Sequence, residues 1–121
     1  MKVKIIAIIA MAFMFTAFQN TEVENLGKKK NKTEIFEVKG NCDMCKTRIE
    51  NAALLKGVKK ATWDKYKKQM TVIYNPKKVK LEDIKKSIAK AGYDNGKYKA
   101  EDKDYKKLPS CCAYRENPST H

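Results

Sequence analysis

The chain has 121 residues, with 27 Lys and Arg against 14 Asp and Glu, for a formal net charge of +13. That length holds one small domain plus appendages. The basic surplus suits an acidic protein partner or an anionic membrane better than nucleic acid, because the lysines are spread over every segment and form no aromatic-studded patch.

Residues 1–20, "MKVKIIAIIAMAFMFTAFQN", place Lys2 and Lys4 ahead of an unbroken apolar run. This is the pattern of a secretory signal, and the run is short for a span of about 20 apolar residues. Cleavage is expected between Ala17 and Asn20, which gives a periplasmic or secreted protein whose membrane contact is limited to the signal segment. An uncleaved N-terminal anchor is the alternative. No cysteine follows the run, which argues against lipid attachment. Residues 21–32, "TEVENLGKKKNK", read as a flexible polar leader.

The globular part is expected over 33–100. "TEIFEVK", Thr33–Lys39, is β-branched and aromatic with Phe36 and Val38 on one face, a strand pattern. Gly40-Asn41 interrupts it. From Asp43, the spacing of Cys45, Ile49, Ala52 and Ala53 predicts one face of a helix that stops at Gly57. "VKKATWD" and "QMTVIYN", joined by the polar turn "KYKK", predict a hairpin that closes at Asn75-Pro76. Trp63 is expected to pack within it. Val79, Leu81, Ile84, Ile88 and Ala91 fall at helical intervals before Gly92, and Tyr93–Ala100 is a weaker strand. The order βαββαβ predicts an α+β, ferredoxin-like sandwich: a four-stranded antiparallel sheet with two helices on one face. Phe36, Val38, Ile49, Val58, Met70, Val72, Ile84 and Ile88 are the expected core.

The four cysteines form two pairs, Cys42/Cys45 and Cys111/Cys112. Exported proteins commonly oxidise such thiols. Disulfides within either pair would close tiny loops that constrain little of the unfolded chain, and a cross-pair such as Cys45 with Cys111 stays open. At the first βα junction, Cys42 lies in the loop and Cys45 at the start of the helix, where backbone amides and the helix dipole favour thiolates. Two thiolates on a flexible turn suit near-linear Cu(I). Zinc more often takes four ligands. Such a site is expected to be shallow and solvent-open, fit for passing an ion on.

The strand–loop–helix carrying Cys-x-x-Cys, then "GVKKATWD", "VIYNPKKV" and "IKKSIAKAGY", resembles the heavy-metal-associated domain. That family includes copper chaperones, N-terminal modules of copper-transporting ATPases and the periplasmic mercury-binding protein. The resemblance runs from about Thr33 to Tyr98. It implies that Cys42 and Cys45 are the metal-binding thiols and that Tyr93 lies in the loop beside the metal. Cu(I) is the implied ion, with Hg(II), Ag(I) or Zn(II) as alternatives. The chain departs from the family's Gly-Met-x-Cys-x-x-Cys, because Gly40 or Asn41 stands where the methionine would be. Met44 is expected to face solvent.

The tail, 101–121, lies outside the resemblance. It reads either as a loosely docked extension or as a segment that folds back, so that Cys111 or Cys112 becomes an accessory ligand. The functional expectation is an exported, non-enzymatic carrier that transfers its ion by thiolate exchange to an acidic metal-transporting partner, with Lys46 and Arg48 steering the encounter. A dithiol oxidoreductase using Cys42/Cys45, a periplasmic Hg(II)-binding protein and a metal-sensing module are the alternatives. No hydrolase or transferase constellation is visible, since the acids are dispersed and the single histidine is terminal.

Overall fold

The computed structural model describes residues 31–121. The signal segment and most of the polar leader lie outside them. The elements are β1 (Lys32–Glu37), α1 (Asp43–Ala53), β2 (Val58–Asp64), β3 (Gln69–Tyr74), α2 (Leu81–Lys90), α3 (Asp102–Tyr105) and a 3-10 turn at Ser110–Cys112. β3 is the central strand, antiparallel to β1 on one side and β2 on the other.

The period-two pattern of β3 turns Met70, Val72 and Tyr74 to one face. They are buried there with Trp63 of β2, Ile49 and Ala53 of α1, and Ile84 and Ile88 of α2. Each fully buried isoleucine contributes about 1.5–3 kcal/mol. Val38 is also fully buried, whereas Phe36 and Val58 cover the edge of the core. The Ser87 hydroxyl donates to Ala52 O at 2.6 Å and ties α2 to α1.

Trp63 does more than pack the hairpin. Its indole Nε1 donates to Val38 O at 2.9 Å. A Cβ at Gly40 would stand 2.9 Å from the Trp63 ring and 3.1 Å from Ile49 Cδ1. Only a residue without a side chain lets the cysteine loop lie this close to the core.

The fourth strand expected over Tyr93–Ala100 is not formed, and the described residues carry a three-stranded sheet. A single backbone bond, Lys39 N to Asp94 O at 3.0 Å, joins this stretch to the end of β1. Beyond it the chain curls, with Asn95 and Tyr98 bonded to each other through their backbones at 2.8 and 3.0 Å. The cause is Asp94. Its carboxylate accepts from the Ala100 amide at 2.8 Å and from Arg115, so the segment is drawn round an acidic side chain instead of extending along β1.

The tail is not a loose extension. Cys112 and Tyr114 are buried. The Tyr114 hydroxyl donates to Gly92 O at 2.7 Å and accepts from Asp94 N at 2.9 Å. Gly92 has φ +110°, and a Cβ there would meet Leu108 Cδ2 at 2.9 Å. The helix stop therefore also makes room for the tail. Farther on, Lys68 Nζ donates to Thr120 Oγ1 at 2.7 Å, and the His121 amide donates to Asn41 O at 2.8 Å.

Candidate metal centre

Cys42 is the N-cap of α1, with extended backbone. Cys45 lies in the first turn, on the face that continues through Ile49 and Ala53, all of them fully buried. The helical offset of three residues stacks the two side chains on one side, and their Sγ atoms are 3.3 Å apart. The 3-10 turn at Ser110–Cys112 supplies a third sulfur. Cys112 Sγ lies 3.6 Å from Cys42 Sγ, and all three sulfurs fall within 4.8 Å of one another. Among the described residues these cysteines are free thiols.

The expectation of an open, shallow site is corrected here. Cys42 is 5% exposed, and Cys45 and Cys112 are fully buried. The tail is the physical reason, because Cys112 packs on Cys42, and Asn117 and His121 bond to Asn41 of the cysteine loop. The adjacent pair in the tail is split by burial. Cys111 is exposed and Cys112 buried, with their sulfurs 3.9 Å apart.

Electrostatics divide the thiols. Burial opposes ionisation of Cys42. The amides of Cys45 and Met44 and the thiols of Cys45 and Cys112 outweigh it, and hold Cys42 below the ordinary thiol value. No side-chain bond closes the cap in the thiol form, so the amide dipoles act on the anion when it forms. Burial pushes the Cys112 thiol far up, and the neighbouring Cys45 adds to the effect. Cys42 therefore ionises more readily than Cys112.

Tyr93 occupies the expected place beside the cluster and is fully buried. Among the described residues its hydroxyl has no hydrogen-bond partner of good geometry, although the Cys112 and Cys45 sulfurs lie nearby. Burial raises its pKa well above the ordinary phenol, as do the nearby sulfurs of Cys112 and Cys45. A buried hydroxyl without a partner costs about 1–3 kcal/mol. A thiolate that carries more negative charge beside it would recover that cost. Three soft sulfurs with an idle donor fit a soft cation and not a hard one.

Two residues escaped the sequence reasoning. Asn41, 1% exposed, accepts from Cys45 Sγ through Oδ1 at 3.2 Å and donates through Nδ2 to Asn117 O at 2.8 Å. It joins the cysteine loop to the tail, and its sequence signal was its place at the missing methionine. Arg115 grips Asp94 and Ala100 O, and nothing local in the sequence marks that pairing. The steering role expected of Lys46 is weakened by its bonds to Glu50 at 2.6 Å and to Trp63 O at 2.8 Å. Among the described residues, Arg48 Nε is buried without a partner. His121 is anchored by its backbone amide and takes no part in the sulfur cluster. Met44 is half exposed, as expected.

Comparison with known proteins agrees with this geometry. The family model for the heavy-metal-associated domain matches residues 35–94. A copper chaperone CopZ of Staphylococcus haemolyticus is 38% identical over 63 residues, which are 50% of this chain and 93% of that protein. Among solved structures, a CopZ metallochaperone is similar with TM-score 0.52 and 33% identity, over 54% of this chain and all of the other. A copper-binding domain from the P-type ATPase HMA7 is similar with TM-score 0.51 and 32% identity, over 53% of this chain and 89% of the other. Cys111, Cys112, Tyr114 and Arg115 all lie beyond the matched residues. The chain belongs to the heavy-metal-associated domain family.

Proposed function

We propose that the protein is a soft-metal carrier of the copper-chaperone kind, which holds Cu(I) on Cys42, Cys45 and Cys112 and hands it on by thiolate exchange. The observation that carries this reading is the meeting of three sulfurs within 4.8 Å of one another at the start of α1. Metal–thiolate bonds of about 2.3 Å place two linear ligands about 4.6 Å apart and three trigonal ones about 4 Å apart. Separations of 3.3 and 3.6 Å need less opening for the trigonal arrangement. The names of the similar proteins, a copper chaperone and a copper-binding ATPase domain, support Cu(I) as the cargo.

The third thiolate alters the role expected from a two-cysteine loop. It holds the ion longer. Delivery then runs by attack of a partner's cysteine on the bound ion, with the protein's own thiolates leaving one at a time. The N-terminal apolar run supports export, and the excess of lysine supports an acidic metal-transporting partner. Because Lys46 is paired internally, attraction comes from the general lysine coat.

A redox dithiol is the second reading, favoured by the close contact of Cys42 and Cys45 and the lowered Cys42 pKa. Insulin reduction at a robust turnover would favour it. The proposed function is tested by titrating the reduced protein with Cu(I) against a competing chelator. Cys42→Ser/Cys45→Ser should lose tight binding, and unchanged affinity would overturn the reading.

A further inference from the structure

The three buried thiols leave unexplained how an ion reaches them, and the surface above them holds two more sulfurs. Cys111 is exposed, and Met44 of α1 is 49% exposed. Cys111 Sγ lies 3.7 Å from Met44 Sδ and 3.9 Å from Cys112 Sγ. Cys112 is 3.6 Å from Cys42, and Cys42 is 3.3 Å from Cys45. The five sulfurs therefore form a chain from Met44 through Cys111 to Cys112 that ends in the compact group of Cys112, Cys42 and Cys45, drawn from three places: the first turn of α1, its N-cap, and a 3-10 turn near the C-terminus.

From this sulfur chain we infer that Cys111 and Met44 form a separate outer landing site for a soft monovalent ion, which then moves inward by stepwise sulfur exchange. The inference rests on the reading of Cys42, Cys45 and Cys112 as the inner centre. Two sulfurs bound to one ion at about 2.3 Å lie no more than about 4.6 Å apart. Each neighbouring pair in the sulfur chain is within that limit, so the ion need never shed all its sulfur ligands. The 3-10 turn sets successive side chains about a third of a turn apart. This directs Cys111 outward and Cys112 inward, and makes the adjacent pair a hinge between the two sites. A neutral thioether beside a thiolate has little attraction for hard cations, so the port also filters by softness.

The chemistry balances without an electron transfer. The ion arrives on the sulfurs of Cys111, which releases its proton to solvent, and Met44. A bond from Cys112 forms as Met44 leaves unchanged, and Cys112 releases its proton to solvent. The bond to Cys111 then breaks as Cys42 binds, and Cys111 takes a proton from solvent. The ion keeps its oxidation state throughout, and Cys42 and Cys45 complete the inner set in the same way.

The test uses reduced full chain and Cu(I) supplied as its acetonitrile complex. Stopped-flow absorbance follows thiolate-to-metal charge transfer on loading, and a competing chelator follows release. An entry port lowers the barrier in both directions, so in Cys111→Ser and in Met44→Leu loading and release should slow together, by about ten-fold. Both side chains are exposed, so the fold tolerates these changes. Rates within two-fold of wild type would overturn the port. So would faster release with weaker affinity, which would make the two residues ordinary ligands of the inner centre. Failure of the inner reading looks different, since it would appear as tight binding retained in Cys42→Ser/Cys45→Ser.

Discussion

Arg115 closes on Asp94 with two hydrogen bonds, Nε to Oδ2 at 3.2 Å and Nη2 to Oδ1 at 2.9 Å, across 21 residues of sequence. Asp94 is 7% exposed, and the same guanidinium donates to Ala100 O at 2.7 Å and lies 4.4 Å over the Tyr105 ring. This clasp fixes the tail that delivers Cys112. Arg115→Ala strands a nearly buried carboxylate and should cost about 3 kcal/mol in chemical denaturation.

The clasp also sets an acid limit. Burial works to raise the Asp94 pKa, but Arg115 and the Ala100 amide outweigh it and hold the carboxyl below the usual aspartate value. An unfolded aspartate titrates near 3.9. Below about pH 4 the unfolded chain therefore binds more protons than the folded one. The Asp94 contribution is complete above that pH and is lost as pH falls through the folded value. Denaturation midpoints measured against pH should show this loss in wild type and much less of it in Asp94→Asn.

Tyr114 contributes to the alkaline limit. It stacks on Tyr93 with ring centres 5.7 Å apart and meets Tyr105 edge-on at 5.2 Å. Burial pushes its phenol up to about 12, against about 10 in an unfolded chain. The folded state holds its proton longer, so stability is complete below about pH 10 and declines as pH rises toward 12. Tyrosinate absorbance should rise late in wild type, and Tyr114→Phe should flatten the decline in stability over that interval.

Tyr93→Phe should act in opposite directions on the two states. Removal of a buried hydroxyl that lacks a partner should stabilise the metal-free protein by about 1 kcal/mol. With an ion bound, the hydroxyl has charged sulfurs to donate to, and its loss should weaken Cu(I) binding by about ten-fold. Thermal unfolding and chelator competition on the same preparation check both halves. Destabilisation of the metal-free form would contradict the account.

Much of this was legible locally. Ile49 and Ala53 follow Cys45 at helical spacing, Met70, Val72 and Tyr74 alternate, and the four residues 65–68 form the hairpin turn, so α1, β2 and β3 fell where the pattern placed them. The fourth strand failed because residues 93–100 carry a weak strand pattern, and because an aspartate within them has a distant arginine to answer it. Cys42 and Cys45 were legible because three residues at a helix start bring thiols together. Cys112 was legible only as one of two accessory candidates beside Cys111, because its place depends on Tyr114 reaching Gly92, Arg115 reaching Asp94, and Asn41 holding Asn117, all contacts distant in sequence.

Burial orders the reactivity of the thiols. Cys111, exposed, should be alkylated first, and Cys42, Cys45 and Cys112 should be protected while the tail is docked. In Arg115→Ala, Cys42 should become the next thiol to react, since the amides of Cys45 and Met44 still favour its ionised form. Timed alkylation read by peptide mass spectrometry gives the order directly. Simultaneous labelling of all four in wild type would contradict a docked tail.

X-ray absorption at the copper edge of the Cu(I)-loaded protein counts the sulfurs that hold the ion. Three sulfur neighbours in wild type, falling to two in Cys112→Ser, is the predicted result. Two neighbours in both proteins would place Cys112 outside the centre and contradict the three-thiolate account.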